Sequence, residues 1–167
     1  MPEEILDLVN EQDEVIGRLS RTDVYAQDLH NFRAIHVFVI NSEGKIWIPR
    51  RVASKKFWPS SLDYSTAGHV ESGEAYDAAF HREVSEEINI DTQKVPWRIL
   101  GKITPSEGAF CFQMVYEIQS DQTPTYNPDD FSEAQWLFPQ EIVNLIEKGE
   151  PEVVDLAYTL KKFYPSK

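Results

Sequence analysis

Cysteine occurs once, at Cys111, so the chain can form neither an intramolecular disulfide nor a cysteine-lined metal cage. Long apolar runs are missing as well, and none approaches the roughly 18 residues that a transmembrane helix needs. Positive charge is scarce: 16 Lys and Arg stand against 28 Asp and Glu, for a formal charge of −12. A surface that acidic disfavours nucleic acid and anionic membrane as partners. The opening residues Met1-Pro2-Glu3-Glu4 lack a basic-then-apolar leader. Together these absences lead us to expect a reducing, cytoplasmic setting. No segment repeats with a period of roughly 20–50 residues, and none is of low complexity.

What is present is the mix of an ordinary globular protein, 41% hydrophobic and 26% charged, which excludes a disordered or fibrous chain. The length of 167 residues implies one domain, 1–167, large enough to bury a single core. Ile5–Asn10 and Val15–Leu19 read as two strands joined by the turn Glu11-Gln12-Asp13-Glu14. Ser20-Arg21-Thr22-Asp23 reads as a helix cap and first turn. Phe32–Ile40 and Lys45–Arg51 read as a hairpin about Asn41-Ser42-Glu43-Gly44. Leu62–Val70 is extended. From Glu74 to Ile88 the pattern turns helical, with Ala75, Ala78, Ala79, Val84 and Ile88 as the expected buried stripe. Further strands are expected over Trp97–Thr104, Ala109–Gln119 and Glu133–Phe138, then helices from Pro139 to Lys148 and from Val153 to Phe163. Strand clusters flanking one helix, with helices closing the chain, make an α+β (mixed α/β) layered fold.

The informative stretch is Gly68-His69-Val70-Glu71-Ser72-Gly73-Glu74, seven further residues, then Arg82-Glu83-Val84-Ser85-Glu86-Glu87-Ile88-Asn89-Ile90. At about 100° per residue, Glu83, Glu86 and Glu87 share one face within a single helical turn. Such like charges at i,i+4 destabilise a helix by a few tenths of a kcal/mol per pair. A hard divalent cation with oxygen ligands would offset the repulsion. A solvated helix face would account for the three glutamates alone, but not for the fixed spacing around them.

That spacing resembles the signature of the Nudix hydrolase family, matched at Gly68, Glu74, Arg82, Glu83, Val84, Glu86, Glu87 and Ile90. Asn89 stands where the family has glycine, and Asn is the next best residue for the left-handed conformation that closes a helix. The resemblance implies an α/β/α sandwich with a central mixed sheet. It implies Glu83, Glu86 and Glu87 as metal ligands, the Gly68 carbonyl as a further one, and Mg²⁺ as the ion, with Mn²⁺ as a substitute. Arg82 and Glu74 would brace the loop–helix–loop, and one glutamate would help deprotonate water. The family also recruits a downstream acid, for which Asp130 is the candidate, with Glu107 and Glu133 as alternatives.

The segments Asp7–Gly17, Ile48-Pro49-Arg50-Arg51 and Lys55-Lys56-Phe57-Trp58-Pro59 are similar to the isopentenyl-diphosphate-isomerase-like branch of the family. True isomerases of that branch carry a catalytic cysteine where this chain has Ala67, and alanine cannot transfer a proton. The resemblance therefore implies hydrolysis of a phosphoanhydride in a nucleoside di- or triphosphate, or in a nucleoside diphosphate derivative. The alternatives are a non-catalytic nucleotide-binding module, which has no need of three repelling acids, and the isomerase. Arg50 and Arg51 end a strand and are candidates for phosphate binding; strand alternation sends them to opposite faces, so one of the two should reach the site. Trp47, Phe57, Trp58, Tyr64, Phe110 and Phe112 are candidate base-stacking rings. His30, His36, His69 and His81 show no metal-ligand spacing, and His69, next to Gly68, is the one best placed to touch substrate. The oligomeric state is not legible in the sequence.

Overall fold

β-branched and aromatic residues dominate the segments that form the main sheet of the computed structural model, which describes residues 2–166. The strands are β1 (Ile5–Val9), β2 (Val15–Ser20), β3 (Arg33–Ile40), β4 (Ile46–Arg51), β5 (Thr66–His69), β6 (Trp97–Ile103), β7 (Phe112–Gln119) and β8 (Phe131–Leu137). The helices are α1 (Arg21–Ala26), α2 (Tyr76–Ile88), α3 (Pro139–Glu147) and α4 (Leu156–Phe163). Strands β1 and β2 form a separate antiparallel hairpin. The main sheet runs β6-β7-β3-β4-β8, with β5 also paired to β3. It is mixed, because β3 and β7 are parallel while the other pairs are antiparallel.

Alternation along β3 builds the sandwich. Ile35, Val37 and Val39 face α2, where they meet Ala79, Phe80, Val84 and Ile88. Phe38 faces the other way, against Ile142 of α3 and Leu156 and Leu160 of α4. The mixed α+β architecture expected from the sequence is the one observed. Ser20 caps α1 by accepting a hydrogen bond from the Asp23 N–H at 3.1 Å. Asn89 closes α2 in the left-handed region at φ 56° and ψ 35°, the conformation for which it was singled out.

Three expectations need correction. The stripe of α2 is Ala79, Phe80, Glu83, Val84 and Ile88, while Ala75 and Ala78 are exposed. Phe80 stacks on Tyr116 with ring centroids 4.2 Å apart, and that aromatic contact sets the rotation of the helix. The extended run at 62–70 is a strand only over Thr66–His69. The expected β3–β4 hairpin pairs only at Ile40 and Ile46. Below that point β5 takes the edge of β3 at Ala34–Val37, and β4 turns to β8.

A side chain bridges the place where β3 and β4 part. Ser65 is fully buried. Its Oγ accepts from the Val39 N–H at 2.8 Å and donates to the Trp47 carbonyl at 2.7 Å. The hydroxyl thus replaces the missing ladder bond between the two strands. Ser65→Ala should destabilise the protein by about 2–3 kcal/mol in urea denaturation, since it leaves a buried donor and acceptor unpaired. A loss below about 0.5 kcal/mol would show that the bridge is dispensable.

The β1–β2 turn is anchored by Asp13. Its carboxylate accepts from Arg33 Nε at 2.7 Å, Tyr76 Oη at 2.7 Å and Lys102 Nζ at 2.6 Å. Burial alone would raise its pKa, but those three donors outweigh burial and hold it below the ordinary carboxylate value.

Candidate active site

The loop after β5 and the helix α2 are clamped by one arginine. Arg82 donates Nε and NH2 to the two oxygens of Glu74 at 2.8 and 2.9 Å, and NH2 also reaches the His69 carbonyl at 3.2 Å. Glu74 in turn accepts the Glu71 N–H at 3.0 Å. A bidentate guanidinium–carboxylate pair fixes orientation as well as distance. Burial opposes ionisation of Glu74, but the Arg82 hydrogen bonds prevail and hold its pKa low.

The three α2 glutamates have different surroundings. Glu83 is buried, and its Oε1 accepts from Arg82 NH1 at 2.8 Å. Glu86 is 62% exposed at the side chain, with Oε2 3.6 Å from the same Arg82 nitrogen. Glu87 accepts a short hydrogen bond from the Thr66 hydroxyl of β5. Burial raises the Glu83 pKa, and Arg82 restrains the rise. Burial also pushes Glu87 up, to about 8; the Thr66 hydrogen bond counters this, and the negative charges of Glu83, Asp63 and Asp130 reinforce it.

Gly68 lies directly against Glu83. A Cβ at position 68 would fall 2.3 Å from Glu83 Cδ and 2.4 Å from its Oε1, so no other residue fits without moving that carboxylate.

These groups line a cleft of about 640 Å³, within the range of small-molecule sites. Gly68, Arg82, Glu83, Glu86, Glu87, Asp130 and Arg51 all border it. Glu74 stands behind Arg82 and does not. Arg50 is turned away, held by Glu133 at 2.9 Å, Glu150 at 3.0 Å and the Ser60 carbonyl at 3.0 Å. That corrects its placement as a phosphate ligand. Arg51 faces the cleft, anchored by Asp63 at 3.0 Å and the Phe57 carbonyl at 3.1 Å. Of the three downstream acids, only Asp130 borders the cleft, where it pairs with Lys55 at 2.7 Å. Glu107 is taken up by Lys162 and Glu133 by Arg50.

Among the rings, Phe57, Trp58, Tyr64 and Phe110 border the cleft, while Trp47 and Phe112 are core residues. His69 borders it too, with its two ring nitrogens facing Tyr25 Oη at 2.9 Å and Glu4 Oε2 at 3.5 Å. Ala67 offers no acid. Cys111 also borders the cleft, as a buried thiol whose pKa burial pushes well up.

Thr66, Asp63 and Tyr25 escaped the sequence reading. Thr66 had a signal: it lies two residues before Gly68 on an extended segment, and alternation puts both on one face. Asp63 and Tyr25 reach the cleft through long-range packing that no local pattern announces.

Among the described residues, no three His, Cys, Asp or Glu side chains converge tightly enough to ligate one ion as they stand; Arg82 draws Glu83 and Glu86 toward itself. The donor set nevertheless suits a hard divalent cation. It is all oxygen, burial pushes Glu87 up to about 8 with the charges of Glu83, Asp63 and Asp130 adding to the rise, and the Gly68 backbone abuts Glu83 without a side chain.

The NUDIX domain family model matches residues 30–157. An uncharacterized Nudix hydrolase from Nostoc sp. (strain PCC 7120) is 48% identical over 162 residues, covering 96% of each chain. A Nudix hydrolase from Deinococcus radiodurans is 43% identical over 163 residues, covering 97% of this chain and 95% of the relative. The crystal structure of DR0079 from D. radiodurans superimposes with a TM-score of 0.91 at 43% identity, covering 96% of this chain and 99% of that one.

Proposed function

We propose a reaction for this chain from one premise: it belongs to the Nudix family, as a hydrolase acting on pyrophosphate bonds. Residues 1–167 act as one domain that hydrolyses, with Mg²⁺, a phosphoanhydride in a nucleoside di- or triphosphate or a nucleoside diphosphate derivative. The observation that carries this reading is Glu83 packed against a side-chain-free Gly68, with Glu86 and Glu87 beside it on α2, at the wall of a ligand-sized cleft.

Glu83, Glu86 and Glu87 would hold the ion, with the Gly68 carbonyl as a further ligand and Asp130 as the downstream acid. A bound Mg²⁺ supplies charge for the phosphates and lowers the pKa of a bound water. The protein's own groups do the rest. Arg82 and Glu74 fix the turn that presents Glu83. The Thr66 hydroxyl orients Glu87. Arg51, braced by Asp63, presents its guanidinium to a phosphate. One glutamate takes a proton as water adds to phosphorus and the anhydride P–O bond breaks. In a chain of charge −12, local cations of this kind are what admit an anionic substrate.

The test is a panel of nucleoside di- and triphosphates and their derivatives with Mg²⁺, with Mn²⁺, and with a chelator, the products identified by mass. We expect metal-dependent release of phosphate or of a phosphorylated fragment. A panel with no turnover in either metal would reject the reading.

A further inference from the structure

The clamp around Arg82 is itself held from outside, by the β1–β2 hairpin. We propose that Asp7 is a positioning residue for the metal-holding turn: by fixing residues 71–73 it sets Glu74, and through Arg82 it sets Glu83. The proposal rests on the reading above, in which Glu83 serves a bound divalent cation.

Asp7 is 8% exposed on β1. Alternation turns its neighbours Leu6 and Leu8 toward Val24 and Phe32, and sends Asp7 the other way. A carboxylate buried at a strand position needs hydrogen-bond partners. Asp7 finds them on the loop after β5: Oδ1 accepts from the Ser72 hydroxyl at 2.7 Å, and Oδ2 accepts the Gly73 N–H at 3.1 Å. The backbone of β1 adds to this grip. The Ser72 N–H donates to the Ile5 carbonyl at 2.7 Å, and Leu6 forms an antiparallel bridge with Glu71. Gly73 stands at φ 81°, so the Asp7 bond falls on the loop residue with the most backbone freedom.

From that loop the path to Glu83 is short. Glu71 and Glu74 exchange two hydrogen bonds, from the Glu71 N–H to Glu74 Oε1 at 3.0 Å and from the Glu74 N–H to the Glu71 carbonyl at 2.9 Å. Glu74 holds Arg82, and Arg82 holds Glu83. The far end of the hairpin grips the same unit. Asp13 accepts from Tyr76, the first residue of α2, while Arg33 and Lys102 tie Asp13 to β3 and β6. The hairpin therefore fixes the chain at residues 72 and 73 and again at 76, and secures both points to the sheet. Neither Asp7 nor Ser72 borders the cleft, so their influence on the site passes through this turn. The hairpin also precedes residue 30, where the family match begins, so this brace lies outside the matched domain. Groups that orient a metal ligand from behind typically cost about 10–100-fold in metal affinity or activity when removed.

The test uses wild type, Asp7→Ala, Asp7→Asn and Asn31→Ala, at a temperature where circular dichroism shows all four folded. Asn31 donates Nδ2 to the Val9 carbonyl at 3.0 Å, at the other end of β1, and controls for a loosened hairpin. Two quantities are read: the NMR signal of the Arg82 Nε–H in metal-free protein, and Mn²⁺ affinity from the electron paramagnetic resonance of the free ion. Asp7→Ala should shift the Arg82 signal and speed its exchange, and should weaken Mn²⁺ binding about tenfold. Asp7→Asn keeps an acceptor for the Gly73 N–H, with the Ser72 hydroxyl turned to accept from the amide, and should restore both readings. Asn31→Ala should leave both at the wild-type value. An unchanged Arg82 signal in Asp7→Ala would overturn the proposal. So would an Asp7→Asn as defective as Asp7→Ala, or an Asn31→Ala that loses as much Mn²⁺ affinity. If Asp7→Ala does not fold, Ser72→Ala removes one of the two bonds in its place, and wild-type readings there would overturn the proposal equally. A wild type that binds no Mn²⁺ would reject the metal reading, while a displaced Arg82 signal in Asp7→Ala would still support Asp7 as the residue that sets Glu74 and Arg82.

Discussion

Glu83→Gln and Glu87→Gln should each lower turnover by about a hundredfold or more, the scale on which removing one preorganised charge-stabilising group acts. The amide keeps the shape of the side chain and removes its charge. Glu83 is the more informative of the two, because it is buried between Arg82 and Gly68 and has no room to be replaced by a neighbour. Stability should change little. Glu83 and Glu87 lie one turn apart, and relieving their repulsion offsets part of the loss of the Arg82 ion pair. The check is phosphate release with Mg²⁺ beside a thermal melt. Normal turnover in both variants, with the fold intact, would remove these residues from the reaction.

Gly68→Ala should be nearly as damaging, for a steric reason. The added methyl would sit 2.3 Å from Glu83 Cδ, and the carboxylate cannot swing away freely because Arg82 holds Oε1 at 2.8 Å. Either that ion pair or the strand must give. A displacement of about 1 Å in a positioning group costs on the order of a hundredfold in rate. Gly17→Ala is the matched control, since its methyl would meet only Leu8 Cδ1 at 3.9 Å and the hairpin lies outside the proposed site. We expect Gly68→Ala to fold and melt near the wild-type temperature and to lose activity, and Gly17→Ala to keep it. Comparable activity in the two variants would mean that Glu83 can work from elsewhere in the cleft.

The sequence made the candidate catalytic turn legible because its logic is local. Helical spacing alone puts Glu83, Glu86 and Glu87 together, and Asn89, where the family has glycine, closes the helix in the left-handed region as expected. Alternation separated Arg50 from Arg51, although only the structure shows which of them faces the cleft. What stayed hidden depends on long-range pairing. A turn between two strand-like runs reads as a hairpin, and nothing near residues 41–44 reveals that β5 will displace β4 from most of β3. Asp13 reads as a turn residue, yet it gathers three donors from β3, α2 and β6. Alanine is equally at home inside or outside, so the rotation of α2 was decided by Phe80.

The short stretch from Ser65 to Gly68 splices the two wings of the sheet through a hydroxyl, orients Glu87 through Thr66 and makes room for Glu83 at Gly68. Architecture and the proposed chemistry are therefore mounted on the same four residues, and a substitution there would be felt by both.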